Sequence, residues 1–348
     1  MKKSLIALAV LAASGAAMAQ SSVTLYGIAD VWVGSVKTDD GTTSTSTTSM
    51  ISGGVSTSRW GMKGTEDLSG GLKANFQLEA SVAMDTGAAG SATGFDRQAW
   101  VGFSGGFGEV RLGRVGSPFD NAQGASDGVF DSDLAPANNP GAGVFRTSNG
   151  YTSKPTNSIF YKTPSMGGFG AEVSYALAED NKDLVLNETA ITSLNVTYAA
   201  GPLAAQFAYQ TEDRNVVADD DFTFMRLGAS YNFGAATAKF SYGRAENATG
   251  AVGTGVHTVG ASTDEWQIGV DVPLSSALTL SGSYATSTDD KTLTTAEVTR
   301  SGFGLGAAYS LSKRTTVYGG FKMVTDEMVG RANDIDTTVF AVGVKHTF

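Results

Sequence analysis

Apolar residues alternate with polar or small ones along most of this chain, and that two-residue period is its dominant pattern. In Leu203-Ala204-Ala205-Gln206-Phe207-Ala208-Tyr209-Gln210 one parity carries Leu203, Ala205, Phe207 and Tyr209, and the other carries Ala204, Gln206, Ala208 and Gln210. Trp266, Ile268, Val270, Val272 and Leu274 repeat the pattern against Gln267, Gly269 and Asp271. It returns in Phe303, Leu305, Ala307 and Tyr309, in Val317, Gly319, Phe321 and Met323, and in Phe340, Val342, Val344 and Phe348 with Lys345 and Thr347 opposite. Successive side chains of a strand point to opposite faces, so each segment predicts a strand with one oily face and one polar or small face.

The connections between these segments alternate as well. Gly201-Pro202, Gly234-Ala235, Ser275-Ser276 and Ser312-Lys313-Arg314 are short links. Between them lie long polar stretches: Lys37 to Ser56, Glu179 to Glu188, Asp213 to Asp221, Glu246 to Ser262, Asp289 to Glu297 and Asp326 to Asp336. Tight turns at one end and long loops at the other predict an up-and-down antiparallel meander. Between Val23 and Phe348 it holds about 16 strands, an even number in the range of closed transmembrane barrels.

Aromatic positions decide between a soluble sandwich and a membrane barrel. Tyr161, Tyr198, Tyr231, Phe233 and Tyr309 fall within a few residues of a short turn and on the oily parity. Amphipathic rings in that arrangement form a girdle at one membrane interface. A sandwich would instead pack its apolar faces against each other and gain nothing from rings at strand ends. Closure also satisfies every backbone group, which an open sheet facing lipid cannot do.

The first residues are of another kind. Lys2 and Lys3 precede an apolar run from Leu5 to Ala13 and the small-x-small site Ala17-Met18-Ala19, which reads as a secretory signal peptide over 1–19. That leaves 20–348 as one barrel domain, delivered to the outer membrane. The 348-residue chain has no cysteine, two histidines and a net charge of −10 at pH 7, and two positive charges leave with Lys2 and Lys3. No disulfide framework or Cys-ligated metal is available, and an acidic chain with no basic run lacks the electrostatic footprint of a nucleic-acid binder. No cofactor or metal is expected. His257 and His346 stand apart with no partner at ligand spacing, and no nucleophile motif points to catalysis, so the chain reads as a non-enzyme. Asp39-Asp40 and Asp219-Asp220-Asp221 read as solvated loop tips.

Arg59-Trp60-Gly61-Met62-Lys63-Gly64-Thr65-Glu66-Asp67-Leu68 closely resembles general diffusion porins of Gram-negative bacteria, of the β-proteobacterial kind. Ser22-Val23-Thr24-Leu25-Tyr26-Gly27 resembles the first strand of that family. The segments Arg97 to Phe103, Phe107 to Arg114 and Asn157 to Tyr161 resemble its fourth, fifth and sixth strands. The terminal Phe348, with apolar residues at alternate positions before it, is similar to the signal read by the outer-membrane barrel assembly machinery. The resemblance spans the mature chain. It implies a homotrimeric, water-filled channel for ions and small hydrophilic solutes, set among outer-membrane lipids and lipopolysaccharide. A barrel-anchored adhesin or receptor acting through long acidic loops is the alternative.

Parity assigns the faces of such a pore. With Trp60, Met62 and Gly64 outward, Arg59, Gly61, Lys63 and Thr65 face the lumen; with Leu72, Ala74, Phe76 and Leu78 outward, Lys73, Asn75, Gln77 and Glu79 do. Arg97, opposite in parity to Trp100, and Arg111, between Val110 and Leu112, read as luminal. An arginine on the lipid face costs about 2–4 kcal/mol at mid-membrane, which favours this assignment. Gly116 to Lys154 is too long and patternless for a simple connection and carries Asp120, Asp127, Asp131 and Asp133 with Arg146 as its only arginine. The resemblance makes it the third loop, folded inward to narrow the barrel. Its four acids would then face a basic wall of Arg59, Lys73, Arg97, Arg111 and Lys154, giving a transverse field. That the bases merely line a solvated wall stays open here. The family pattern also implies an arginine near Phe160, where this chain has only Lys154 and Lys162, so the expected anion preference is weak. Arg114, on the parity opposite Arg111, is either a lipid-rim residue or a partner for the second long loop across a subunit boundary. Gly302, Gly304 and Gly306 imply close backbone approach or a tapered lumen.

Overall fold

The computed structural model describes residues 22–92, 94–122, 124–138, 144–145, 147–148, 150–178, 190–213, 221–247, 262–290 and 296–348. The expected signal peptide, His257, Asp219, Asp220 and Arg146 lie outside them. Seventeen hydrogen-bonded segments form one antiparallel sheet that closes on itself. They begin with β1 (Ser22–Asp39), β2 (Ser44–Ser52), β3 (Arg59–Asp67), β4 (Lys73–Ser81), β5 (Gln98–Gly105), β6 (Gly108–Arg114), β7 (Ser158–Lys162) and β8 (Phe169–Ala176). The longer strands follow: β9 (Ala190–Ala200), β10 (Leu203–Asp213), β11 (Phe222–Asn232), β12 (Thr237–Glu246), β13 (Ser262–Pro273), β14 (Leu278–Asp289), β15 (Val298–Ser310), β16 (Thr315–Met328) and β17 (Ile335–Thr347).

Sixteen strands cross the wall, as the meander predicts, because β2 and β3 are two pieces of one strand. Both pair with the same edge of β1, the upper piece from Val31↔Ser52 to Asp39↔Ser44 and the lower from Ser22↔Thr65 to Ile28↔Arg59. Residues 53–58 bulge out between them. The expected long loop from Lys37 to Ser56 is therefore mostly a hairpin, turned at 40–43. Asp40 accepts hydrogen bonds there from the Thr42 and Thr43 amides, and Asp39 from the Gly41 amide. The stretch from Asp326 to Asp336 shortens likewise, since β16 runs to Met328 and β17 starts at Ile335.

The barrel is inside-out, as expected of a wall between lipid and water. Trp266, Ile268 and Val270 on β13 are exposed on the outside, while Glu265 and Gln267, on the alternate parity, are fully buried on the inside. At the short-turn end Phe169 stacks on Tyr198 and Tyr231 on Phe233, each pair with ring centroids 4.6 Å apart, forming part of the girdle read from the sequence. Backbone bonds between Gly27 and Phe348 finish the seam between β1 and β17.

The connection between β6 and β7 turns into the lumen and supplies the only thick packing in the molecule among the described residues. It opens with α1 (Pro118–Asn121), where Pro118 takes the first helical position and Ser117 caps by accepting the Asp120 amide at 3.1 Å. Two tight helical turns follow, at Gly124–Ser126 and Val129–Asp131. Phe119, Phe222, Phe224 and Ala245 pack on one side of this third loop, and Val129, Leu134, Trp32 and Tyr318 on the other. Gly304 and Gly306 on the inner face of β15 make room for it: any side chain there would strike the Leu134 carbonyl or the Val129 side chain. That is the close approach the glycine parity implies.

Candidate functional site

Inside the barrel, the third loop leaves a polar cavity of about 510 Å³ between itself and the wall formed by β3 and the start of β5. Arg59 and Arg97 line it from the wall, Asp120, Asp131 and Asp133 from the loop, and Lys154 from the loop's return. Six of the nine residues expected at a constriction thus share one space.

The basic side is held by a carboxylate behind it. Glu79 on β4 is buried and accepts from Arg97 Nε at 2.8 Å and from the Tyr26 hydroxyl at 2.9 Å, with Arg59 Nη1 at 3.8 Å. Two guanidinium groups share one carboxylate, so this patch carries a net positive charge toward the lumen. On the facing side Asp120 accepts from Tyr151 Oη at 2.8 Å and pairs with Lys154 at 3.2 Å. Asp131 accepts from Asn138, and Asp133 from the Trp32 indole at 3.0 Å. The cavity therefore has two arginines on the wall side and three carboxylates on the loop side, and Lys154, expected with the basic wall, lies with the loop because it pairs with Asp120.

The remaining expected residues lie elsewhere, each for a physical reason. Asp127 is fully buried on the far side of the loop and ion-paired with Arg226 of β11, while Gln267 donates to it at 2.8 Å. It anchors the loop and faces no solute. Lys73 directly follows the short turn, far down the strand from Arg59, because β4 runs antiparallel to β3. Arg111 is luminal but below the cavity, bonded to Glu109 at 2.8 Å, with its guanidinium 4.5 Å from the Trp100 ring and 5.0 Å from the Phe160 ring. Trp100 consequently faces inward, on the same side as Gln77. The parity argument for Arg97 is overturned with it: Arg97 precedes β5 and reaches the lumen because its side chain turns back onto Glu79. Arg114 Nε donates to the Asp96 carbonyl of the chain's own second long loop at 2.6 Å.

Sequence reading missed Arg226 and Lys322. Both carry the signal that exposed Arg111, a base flanked by apolar residues on an oily strand: Met225 and Leu227 in one case, Phe321 and Met323 in the other. Arg226 is buried against Asp127 and Ser148, and Lys322 donates to the Asn138 carbonyl at 2.5 Å.

Two cavity acids titrate in an accessible range: burial, with the neighbouring Asp127 adding to it, pushes the Asp131 carboxyl up to about 7. Burial pushes the Asp133 carboxyl up to about 7, and the neighbouring Asp30 adds to the shift, against the opposing pull of the Trp32 indole and Lys322. As pH falls from 8 to 5 each takes up a proton and the cavity loses negative charge. Anion preference, read from reversal potentials in a salt gradient, should then rise about twofold for each, as for one partly screened charge. In Asp133→Asn that pH dependence should be reduced by about half, because Asp131 titrates in the same range, and it should be flattened only when Asp131→Asn is added; a parental profile in the double variant would contradict the assignment.

A closed antiparallel barrel with an apolar outer face, and a loop turned into its middle that brings carboxylates into one cavity with two wall arginines, is the architecture of an outer-membrane diffusion channel. Residues 5–328 match the model of the Gram-negative porin family, and the chain belongs to that family. It is 38% identical over 363 residues to outer membrane porin protein 32 of Delftia acidovorans, covering 99% of this chain and 95% of that one. It is 30% identical over 395 residues to an outer membrane porin protein of Bordetella pertussis, covering 100% of both. Among solved structures, the anion-selective porin from Comamonas acidovorans superposes with a TM-score of 0.74 at 28% identity, covering 94% of this chain and 100% of that one. The chain is accordingly a channel of the outer membrane, not an enzyme.

Proposed function

We propose that the chain forms a homotrimeric, water-filled pore for passive diffusion of ions and small hydrophilic solutes, with weak anion preference. The observation that carries this reading is the cavity in which Arg59 and Arg97 face Asp120, Asp131 and Asp133. With Lys154, three bases balance three acids there, and the raised titration of Asp131 and Asp133 tips the balance toward positive. In this reading the exposed apolar wall contacts outer-membrane lipid and lipopolysaccharide, and Phe348, half-exposed at the seam, serves the barrel assembly machinery. The alternative of a surface adhesin rests on segments that lie mostly outside the described residues, and no observation favours it. Purified, folded protein in planar bilayers should give conductance steps in threes that scale with salt, and a heat-sensitive oligomer band on gels. Folded protein that never conducts would overturn the reading.

A further inference from the structure

Behind the cavity, on the far side of the β2–β3 break, sits a carboxylate that no solute can reach. Asp30 of β1 is fully buried. Its carboxylate accepts four hydrogen bonds: from the amides of Gly54 at 3.3 Å, Val55 at 3.0 Å and Ser56 at 2.8 Å, and from the Tyr318 hydroxyl at 2.5 Å. Its backbone is engaged as well, since Asp30 N donates to Ser58 Oγ, Ser58 Oγ donates back to Asp30 O at 2.7 Å, and Gly53 N donates to the same carbonyl. The bulge at 53–58 thus has six of its hydrogen bonds to Asp30, beside single backbone bonds from the Val82 amide to the Ser58 carbonyl and from the Asp133 amide to the Gly54 carbonyl.

The bulge in turn receives the third loop. Asp133 N donates to the Gly54 carbonyl at 2.8 Å, and Trp32, two residues along β1, donates to the Asp133 carboxylate. Val55 packs against the cluster of Trp32, Val129, Leu134 and Tyr318. Bulge residues 53–57 also line the cavity alongside Asp131, Asp133 and Arg59. One face of the cavity is thus backbone held chiefly by Asp30, and it meets the loop at Asp133.

We propose that Asp30 is a positioning residue for the constriction: by organising the β2–β3 bulge it fixes where the third loop stops, and so sets pore width and the distance from Asp133 to Arg59. The inference rests on the channel reading above. A carboxylate suits the task because its two oxygens accept from converging N–H groups without offering a donor of their own; an amide at this place turns a donor toward amides that also donate. Twelve paired residues of β1 on β17 hold the strand independently of the bulge, so the barrel survives the change.

The test compares Asp30→Asn and Tyr318→Phe with the parent and with Asp264→Asn, whose carboxylate on β13 binds Tyr242 and Arg244, not the third loop. Folding is read by heat-modifiable migration, and function by single-channel conductance and reversal potential. Asp30→Asn should migrate as a folded barrel with conductance raised by about half and altered selectivity. Tyr318→Phe, which keeps the ring and loses one hydrogen bond, should move both in the same direction by less, and Asp264→Asn should leave both unchanged. Folded Asp30→Asn with parental conductance and selectivity overturns the proposal, as does parental behaviour of Tyr318→Phe should Asp30→Asn not fold. Replacing Arg59 and Arg97 in parallel separates the two readings: if that pair shifts selectivity while Asp30→Asn does nothing, the constriction stands and only the role of Asp30 falls.

Discussion

Replacing Arg226 with methionine should detach the third loop from the wall. Asp127 and Arg226 are both fully buried, and no water competes for either. Leaving one member of such a pair without the other costs about 3–5 kcal/mol, because the remaining charge has lost both its solvent and its partner. The carboxylate keeps Gln267 at 2.8 Å, and its own backbone carbonyl keeps Lys239 at 2.9 Å, but neither neutralises it against the loop. The expected result is a folded barrel with a lowered thermal transition and a larger, noisier conductance, because the loop leaves the wall to rehydrate Asp127. Adding Asp127→Asn should recover most of both, since an amide at that place carries no charge. A single variant with parental conductance and stability would show that the pair does not hold the loop.

The second large effect concerns selectivity. Arg59→Ala with Arg97→Ala removes both guanidinium groups from the wall and leaves Glu79 unbalanced behind it, so the basic face of the cavity becomes acidic. A unit charge at about 4 Å in water is worth about 1 kcal/mol, a factor of about five in permeability ratio. The pair should therefore convert weak anion preference into clear cation preference in a salt gradient. Arg97→Ala alone should go part of the way, because Arg59 remains beside Glu79. An unchanged reversal potential in the double variant would mean that the field at this cavity does not screen ions.

The barrel was legible in the chain because lipid enforces it. Wherever one face of a strand meets hydrocarbon, apolar residues must recur every second position, and β13, β15 and β17 show that directly. Where no hydrocarbon is met the pattern lapses: Ser44–Ser52 reads as a polar loop, yet it forms β2 because β1 offers it a full edge beyond the membrane. Inward faces are less legible still, since the lumen accepts any residue that the third loop can cover. Trp100 reads as lipid-facing and instead packs beneath Arg111, while the inward parity of β11 holds Phe222 and Phe224 beside Arg226. The four loop acids look alike in sequence. Only tertiary pairing with a base 99 residues away separates Asp127, which anchors, from Asp120, Asp131 and Asp133, which line the cavity.

The seam between β1 and β17 bears on how fast the molecule can form. Every other wall contact joins strands that follow one another in the chain, and even the widest of these, β6 on β7 across the third loop, closes a far shorter stretch of chain. The pairing of Ile28 with Thr347 and its eleven successors joins the two ends of the chain, and none of it can form until the last strand exists. Loop-closure entropy must be met before those bonds return anything, so seam formation is the slowest event the topology demands. Until then two unpaired edges stand open to other chains. The same closure that leaves the finished wall without an edge makes its precursor the state most exposed to aggregation.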